Sequence, residues 1–261
     1  MLRLLIVTPT LNAAHYLPQC IKSVNKLSHH HVTVTHVIAD SGSTDATLQI
    51  AASFGLRTVY CPPGNMYAAI NKAISLCPSD WITYINSDDL LHHDCLSYLH
   101  FADCLHTADI VTGSFRIFSD DNQFVGYTRY PLPRAFHQIL YSSGIMPFPQ
   151  SGTFFRRSLY EKLNGFSEDL KYASDFDFFL RAYKASASYY SSYKLFSSFR
   201  LHSSQLSRVH DASLRSEVRS SISRFTGSHH LVFQIFLSMF ARFLYFSYCS
   251  NVFAPIYNRL R

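Results

Sequence analysis

The first half of the chain alternates between short apolar runs and longer segments whose apolar residues recur three or four positions apart. Short apolar runs bounded by turn residues are typical of buried strands, and the three-to-four spacing is typical of helices packed on a sheet. We predict strands at 2–8, 32–39, 57–61 and 81–85, and helices between them at 13–27, 44–54 and 66–76. This βαβαβαβ order predicts an α/β protein with a mostly parallel sheet and helices on both faces.

The pattern is less regular after residue 89. We predict a helix at 93–105, strands at 110–118, 124–130 and 151–156, a helical turn at 159–163, a helix at 175–184 and a strand-rich stretch at 189–201. Residues 131–149 are rich in proline, and a loop is predicted there. Together the two halves predict one domain over residues 1–210.

Polar residues follow the first, second and fourth predicted strands, where the loops of a parallel sheet share one edge. The fourth strand leads directly into Asn86-Ser87-Asp88-Asp89. Adjacent carboxylates repel each other unless a cation lies between them. Because Mg²⁺ and Mn²⁺ bind one or two carboxylates together with phosphate oxygens, this segment predicts a metal site for a substrate diphosphate. The alternative is a polar turn in which Asp88 or Asp89 caps the next helix.

The net charge of +6 is unevenly distributed. Residues 211–261 contain six Arg against Asp211 and Glu217, whereas residues 1–210 have a surplus of only two positive charges. This small surplus gives little support to nucleic-acid binding by the domain. A basic C-terminal segment is typical of contact with nucleic acid or with an anionic membrane surface.

Residues 231–248 are almost wholly apolar and rich in Phe and Tyr, which favours the membrane. A span needs about 20 apolar residues, and Arg242 lies near the middle of this run, which counts against a simple transmembrane helix. A helix in the plane of the membrane surface fits better. We therefore predict that residues 211–261 form a basic, aromatic-rich helical tail on the membrane. Packing on the domain or in a dimer interface is the alternative.

The six cysteines are scattered without a CxxC pair, which indicates reduced thiols and neither a disulfide framework nor a zinc site. The apolar run at 4–7 is too short for a signal peptide and fits a strand. We predict a cytoplasmic protein that associates peripherally with the inner face of the membrane. The sequence is compatible with an oligomer.

Seven segments occur in the order and spacing seen in family 2 glycosyltransferases, and the chain resembles that family from residue 3 to about residue 208. The segments are 8–12, 39–47, 64–74, 86–89, 152–156, 164–166 and 174–181. The resemblance implies a GT-A fold, a nucleotide-diphospho-sugar donor, a divalent metal ion such as Mn²⁺ or Mg²⁺, and inversion at the anomeric carbon.

The resemblance also implies roles for individual residues. Asn86-Ser87-Asp88-Asp89 resembles the family's DxD-type motif, with Asp88 on the ribose or the metal ion and Asp89 on the metal ion. Ser174-Asp175-Phe176-Asp177 resembles the catalytic acidic motif, with Asp175 as the general base. His202 lies in an Arg-x-His segment and completes the metal or phosphate shell. The implied donor-binding residues are Thr8, Thr10, Asn12, Asp40, Ser41, Lys72 and Asp88.

Physical chemistry offers a second interpretation of several of these residues. A carboxylate at Asp175 among Phe176, Phe178 and Phe179 is expected to have a raised pKa, which suits a general base. Asp177 points elsewhere on the same helix and is expected to form an ion pair or to interact with the helix N-terminus. The alternatives that stay open are a turn or cap role for Asp40, a solvated helix face for Lys72 and an ordinary histidine at His202.

Three positions depart from the family pattern. Ser41 and Ala68 stand where many relatives have acidic residues, and Leu11 stands where an aromatic residue often stacks on the base. These departures leave the nucleotide base open and motivate one alternative, a catalytically degenerate GT-A module that binds sugar or acts as a scaffold. A nucleotidyltransferase is another alternative, although residues 8–12 lack a phosphate loop rich in Gly, Lys and Arg.

The sequence as a whole predicts a metal-dependent inverting glycosyltransferase. Its predicted substrates are a nucleotide-diphospho-sugar donor and a glycan or lipid-linked acceptor in the synthesis of cell-surface polysaccharide or lipopolysaccharide. The acceptor prediction depends on the tail at 211–261. The donor sugar and the linkage stay open.

Overall fold

The structure is a computed structural model that describes residues 1–128, 134–205 and 209–226. Its strands are β1 (Leu2–Thr10), β2 (Val32–Asp40), β3 (Arg57–Tyr60), β4 (Trp81–Tyr84), β5 (Leu90–Leu91), β6 (Ile110–Ser119), β7 (Phe124–Thr128), β8 (Phe154–Arg156) and β9 (Tyr189–Leu201). Its helices are α1 (Leu17–Asn25), α2 (Thr47–Ser53), α3 (Met66–Ser75), α4 (Asp94–Cys104), α5 (His137–Ser142), α6 (Arg157–Lys162), α7 (Ser174–Lys184) and α8 (Asp211–Thr226). A short 3₁₀ turn, Arg134–Phe136, precedes α5.

The strands form one sheet in the order β3-β2-β1-β4-β8-β6-β9-β5, with β7 paired to β6. The first four strands are parallel. Beyond them β8 runs antiparallel to both β4 and β6, while β6 and β9 are parallel. The predicted α/β architecture is confirmed, but the parallel arrangement is confined mainly to the N-terminal half.

Strand β1 lies inside the sheet and explains why helices cover both faces. Of its nine residues only Arg3 is exposed, a pattern typical of a strand buried on both sides. Because successive side chains of a strand point to opposite faces, Leu5 and Val7 pack towards α3 and α7, while Leu4 and Ile6 pack towards α1 and α4. The topology reverses beside β1, since β2 lies on one flank and β4 on the other.

The second half of the chain differs from the sequence prediction in two elements. The Pro-rich segment 131–149, predicted as loop, contains α5, whose Leu140 and Tyr141 are buried. The two-residue strand β5 was not predicted, because its pairing with β9 depends on a segment about 100 residues away. The strand predicted at 124–130 is present as β7 up to Thr128, and its last two residues lie outside the described residues.

Helix α8 packs on the domain. Leu214, Val218 and Ile222 contact the core cluster that contains α3 and α7. Arg224 pairs with Asp177 of α7 at 3.0 Å. Residues 211–226 therefore pack on the domain, which is the alternative that the sequence left open for this part of the tail.

The membrane-surface helix predicted at 231–248 lies outside the described residues. Among the helices that the structure describes, none is both long and apolar enough to cross a membrane. The five cysteines within the described ranges are free thiols, four of them buried.

Candidate active site

The ends of β1, β2 and β3 meet at one edge of the sheet. Thr10, Asp40 and Tyr60 are neighbours across these three strands. Asp40 is fully buried, and its Oδ2 accepts hydrogen bonds from the hydroxyls of Thr10 (2.7 Å) and Ser43 (2.6 Å). Its Oδ1 accepts the N–H groups of Gly42 and Ser43 at 3.0 and 2.9 Å. Burial raises the pKa of Asp40, but the hydrogen bonds from Ser43, Thr10 and Gly42 outweigh burial and lower the pKa below its ordinary value.

Asp40 therefore has the turn role that the sequence left open as an alternative. The turn contains Gly42, whose φ of +89° lies in the left-handed region that glycine adopts without strain. The role predicted from the resemblance, contact with the nucleoside, is compatible with this turn because the loop lies at the ligand-binding edge of the sheet.

Asn12 joins the loops that follow β1 and β2. Its Oδ1 accepts the N–H of Thr44 at 2.9 Å, and its own N–H donates to Ser43 Oγ at 2.8 Å. Ser41 is buried, and its N–H donates to the carbonyl of Thr10. The predicted donor-binding residues Thr10, Asn12, Asp40 and Ser41 thus lie together in one hydrogen-bonded pair of loops.

Thr8 lies behind this edge. Its side chain is fully buried, and its hydroxyl contacts His36 Nε2 of the neighbouring strand at 2.8 Å. Burial lowers the pKa of His36 to about 4, so this histidine is neutral at physiological pH. In this arrangement Thr8 stabilises the β1–β2 pair and does not line the edge, which corrects its predicted place in the pocket.

Lys72 of α3 lies at the end of β3. Its Nζ donates to the carbonyl of Tyr60 at 2.9 Å, and the side chain is exposed. Since Tyr60 is the register neighbour of Asp40, the ammonium group lies on the same edge of the sheet as the loops after β1 and β2. The predicted proximity of Lys72 to a donor phosphate is consistent with this position.

Asp89 lies five residues beyond the end of β4 and is fully buried. Its Oδ1 accepts the backbone N–H of Arg200 at 3.1 Å. Its Oδ2 and the nearby hydroxyl of Ser151 are also buried, and neither makes a well-formed hydrogen bond among the described residues, although Ser151 and Asn86 lie close enough to lower the pKa of Asp89. Burial, together with the charge of Asp88, raises the pKa of Asp89 well above its ordinary value. A buried carboxylate oxygen without a partner is costly, so this geometry requires a further explanation.

Asp88 is half-buried and contacts His202, a residue that the resemblance placed in the metal or phosphate shell. Its Oδ2 lies 2.8 Å from His202 Nε2, and His202 Nδ1 lies 2.9 Å from Ser204 Oγ. The two side chains are 114 residues apart in sequence. The histidine is thus held between a carboxylate and a hydroxyl and is neither a loose surface residue nor an apolar core residue.

Arg200 is a site residue that was not among our predicted ones. It is 1% exposed, and its Nε and Nη2 donate to the Asp88 carbonyl (3.1 Å) and to Gln19 Oε1 (2.6 Å). Its guanidinium group lies over the rings of Phe118 and Tyr16. The only sequence signal for this role is the Arg-x-His segment that also contains His202. Through its backbone and its side chain, Arg200 fastens β9 to the Asp88-Asp89 segment.

The structure allows a test of whether a metal ion fits here. Within residues 1–128, 134–205 and 209–226, no group of three or more His, Cys, Asp and Glu side chains is arranged to hold an ion. Asp88, Asp89 and His202 therefore do not form a preformed three-ligand centre. Divalent ions that accompany a diphosphate need only one or two carboxylates, because phosphate oxygens and water complete the shell. The unpartnered Oδ2 of Asp89 next to Asp88 fits that donor set.

Asp175 lies in the first turn of α7 and contacts two buried tyrosines. The hydroxyl of Tyr67 in α3 donates to its Oδ1 at 3.1 Å, and that of Tyr84 in β4 donates to its Oδ2 at 3.4 Å. Burial raises the pKa of Asp175, and hydrogen bonds from the Phe176 N–H, Tyr67 and Tyr84 offset part of this rise. Burial and the nearby carboxylate also raise the pKa of both tyrosines well above the ordinary value, so both hydroxyls remain protonated donors.

The predicted direction of the Asp175 pKa is confirmed, but the predicted surroundings were wrong. Phe178 and Phe179 pack on Phe155 in the core and do not surround the carboxylate. The contacts come from tyrosine hydroxyls on two other elements, which sequence reasoning missed. Asp177 forms ion pairs with Arg181 (2.7 Å) and Arg224 (3.0 Å), and this confirms its predicted structural role.

Superposition on solved structures shows the class of fold. It is GT-A, the α/β fold of nucleotide-sugar transferases. The chain superposes on the crystal structure of S. aureus TarS 1-349 in complex with UDP, with a TM-score of 0.66 and 18% identity over 96% of this chain and 74% of that one. It also superposes on glucosyl-3-phosphoglycerate synthase from Mycobacterium tuberculosis in complex with Mn²⁺, UDP and glucosyl-3-phosphoglycerate (TM-score 0.62, 19% identity, 85% and 79% covered).

The sequence then identifies the family. The model of Glycosyl transferase family 2 matches residues 5–164, and the chain belongs to this family. A PGL/p-HBAD biosynthesis glycosyltransferase from Mycobacterium bovis (strain BCG / Pasteur 1173P2) is 27% identical over 186 residues, which are 68% of each chain. The protein is thus a glycosyltransferase, and the alternative of a nucleotidyltransferase is removed. Asp175 and His202 lie beyond the matched residues, so their roles depend on the geometry described above.

Proposed function

We propose that the protein is a metal-dependent, inverting glycosyltransferase that moves a sugar from a nucleotide-diphospho-sugar to a hydroxyl of a glycan or lipid-linked acceptor in cell-surface polysaccharide or lipopolysaccharide synthesis. The observation that carries the proposal is the pair Asp88 and Asp89 at the end of β4. One carboxylate oxygen of this pair, Oδ2 of Asp89, is buried without a well-formed hydrogen bond among the described residues. Such an arrangement is explained by a cation that arrives with the substrate.

The loops after β1 and β2 are the proposed site for the nucleoside. Thr10, Asn12, Asp40 and Ser41 line this edge, and Lys72 supplies a positive charge next to it. A structural relative is titled as a complex with UDP, and another as a complex with UDP-GlcNAc. These complexes support a nucleotide-sugar donor for this chain and make a uridine nucleotide the first one to test.

Asp89 and Asp88 are the proposed holders of Mn²⁺ or Mg²⁺, and His202 holds the carboxylate of Asp88 in place. When bound, the ion would stabilise the negative charge that develops on the departing nucleoside diphosphate. The same metal accompanies UDP in the mycobacterial synthase complex, which supports this assignment. Arg200 fixes the position of both carboxylates through its backbone and side-chain contacts.

Asp175 is the proposed general base. Its ionised carboxylate takes the proton of the acceptor hydroxyl as the hydroxyl oxygen attacks the anomeric carbon and the bond to the diphosphate breaks. A raised pKa brings a carboxylate closer to the operating pH, where a general base is most effective. A single displacement with one base inverts the anomeric carbon. Tyr67 and Tyr84 hold the carboxylate in one orientation.

The proposed acceptor is a glycan or lipid-linked molecule at the inner face of the membrane. The basic, aromatic-rich composition of residues 227–261 supports a peripheral membrane contact that follows α8. A dimer contact through the same segment is the alternative.

Calorimetric titration with UDP, GDP, dTDP and CMP, with Mn²⁺ and with chelator, tests the donor and the metal. We expect one nucleotide to bind tightly, and we expect this binding to disappear with chelator. No binding to any nucleotide by the folded protein would favour the degenerate module over an active transferase.

The variant Asp175→Asn tests the base. It is expected to keep nucleotide binding and to lose transfer, because the amide cannot accept the proton from the hydroxyl. Parallel loss of binding and transfer would contradict the role of Asp175 as a base and would favour a structural role.

A further inference from the structure

The segment that precedes the candidate base is fastened to two helices. On one side α3 holds it, since Asn65 Nδ2 donates to the carbonyls of Glu168 and Leu170 at 2.6 and 3.2 Å. The hydroxyl of Tyr67, which contacts Asp175, also lies 3.4 Å from the carbonyl of Tyr172. The position of Asp175 therefore depends on how residues 168–173 are held.

On the other side a single carboxylate holds the segment. Glu217 of α8 accepts three consecutive backbone N–H groups: its Oε1 accepts from Lys171 at 3.0 Å, and its Oε2 accepts from Tyr172 and Ala173 at 2.8 and 2.9 Å. Ala173 is the residue before α7 and has no side chain that could cap the helix. Glu217, which is 44 residues away in sequence, thus supplies the hydrogen-bond acceptor at the start of α7.

Glu217 occupies an unusual place on its helix. It lies beside Leu214 and Val218, which pack on the core, so a charge stands on the buried side of α8. Helix α8 is also tied to α7 through Arg224 and Asp177. A carboxylate on an apolar helix face is costly unless it is satisfied, and here three charge-assisted hydrogen bonds satisfy it.

We propose that Glu217 is a positioning residue for the transfer reaction: through Lys171, Tyr172 and Ala173 it holds the carboxylate of Asp175 against Tyr67 and Tyr84. Helix α8 is then part of the catalytic apparatus, although it lies outside the matched family residues and immediately before the segment proposed to contact the membrane. This inference rests on the proposed function, because it takes Asp175 to be the base.

The test compares Glu217→Gln with a matched control, Asp211→Asn. Both variants remove one negative charge from α8, but Asp211 is paired with Arg215 on the exposed side and does not touch residues 171–173. Three quantities are measured in the full chain: UDP binding with Mn²⁺ by calorimetry, turnover of a panel of UDP-, GDP- and dTDP-sugars, and amide hydrogen exchange of residues 168–176 by mass spectrometry. The groups that face Asp175 and stay intact in both variants are Tyr67 and Tyr84.

For Glu217→Gln we expect faster exchange in residues 171–173, turnover reduced by about tenfold to a hundredfold, and UDP affinity within about twofold of wild type, because small displacements of a reacting group cost rate and not donor binding. Asp211→Asn is expected to behave as wild type in all three measurements. Glu217→Asp keeps the charge with a shorter reach, so its turnover is expected to lie between those of wild type and Glu217→Gln.

Wild-type turnover in Glu217→Gln, or equal losses of binding and turnover, would overturn the positioning role while leaving the proposed function intact. If Glu217→Gln does not fold, Glu217→Asp takes its place in the test. Reduced turnover with unchanged UDP affinity in Glu217→Asp would support the positioning role, and wild-type turnover or equal losses of both would overturn it. A wild-type protein that is folded yet binds no nucleotide and turns over no sugar nucleotide would overturn the proposed function and, with it, this inference.

Discussion

The substitution Tyr67→Phe tests the proposed base through its pKa. The hydroxyl of Tyr67 donates to Asp175 Oδ1, and this hydrogen bond favours the ionised carboxylate. Phenylalanine keeps the ring that packs against Tyr84 and Phe166 but has no donor. Because the ionised form of Asp175 loses stabilisation, its pKa rises further above the ordinary value.

The size of the shift follows from the geometry. A hydrogen bond to a charged group contributes about 1.5–3 kcal/mol, and the 3.1 Å distance is longer than a typical charged O–H···O contact, so the lower end applies. Since one pKa unit corresponds to about 1.4 kcal/mol, the pKa of Asp175 should rise by about one unit. The bond from Tyr84 is longer, 3.4 Å, so Tyr84→Phe should produce a smaller shift in the same direction.

The base must be ionised to accept a proton, so a higher pKa moves the acid limb of the pH–rate profile to higher pH. The measurement is the initial rate of transfer, or of donor hydrolysis, at saturating donor between pH 5 and pH 9. We expect the acid limb of Tyr67→Phe to lie about one pH unit above that of wild type, with similar rates on the alkaline side.

The matched control is Tyr160→Phe. Tyr160 is a partly buried tyrosine whose hydroxyl donates to Asn71 Oδ1 at 2.7 Å and not to Asp175. The acid limb of the pH–rate profile of Tyr160→Phe should coincide with that of wild type. An unmoved limb in Tyr67→Phe, or an equal shift in the control, would refute the reasoning that these hydrogen bonds set the pKa of the base.

Two further predictions concern Asp89 and the C-terminal segment. Asp89→Asn, measured without divalent cation at pH 7, should raise the melting temperature by roughly 2–4 °C, which corresponds to about 1 kcal/mol, because a buried carboxylate is removed. Because the native pKa of Asp89 is raised, the contribution of this residue to stability is present at low pH and is lost as pH rises through that pKa. The difference between variant and wild type should therefore disappear near pH 4, and an unchanged melting temperature at pH 7 would contradict this account. Removal of residues 227–261 should leave α8 packed through Leu214, Val218 and Ile222, keep nucleotide binding, and abolish sedimentation with anionic vesicles; a truncated protein that still sediments would place the membrane contact elsewhere.

Local patterns in the sequence were sufficient for the first half of the fold. Strands β1 to β4 and helices α1 to α3 all fall at the predicted places, because their apolar periodicity arises from the helix and strand geometry itself, although β1 and β2 extend past the predicted ends to Thr10 and Asp40. Even there the boundaries shifted. Helix α2 begins at Thr47 and not at 44, because the Asp45 carboxylate accepts the Thr47 N–H.

The second half was harder to predict because its pairings are non-local. Strand β8 is three residues long and lies antiparallel between β4 and β6, an arrangement that its own sequence does not encode. Helix α5 has six residues in a segment whose prolines indicate a loop, and it is stabilised by burial against the domain and not by helix propensity.

The amino-acid sequence by itself determined the parallel half of the sheet, the edge at which its loops meet, and the family to which the chain belongs. It also marked the acidic residues at 88, 89 and 175 as candidates for the site, because strand ends and motifs are short-range features. Only the tertiary structure decided which groups surround those carboxylates. The partners His202, Tyr67 and Glu217 come from elements 44 to 114 residues distant from the segments they contact, and their approach depends on how whole helices and strands dock. Periodicity describes one element at a time, whereas docking depends on the shape and burial of all of them together.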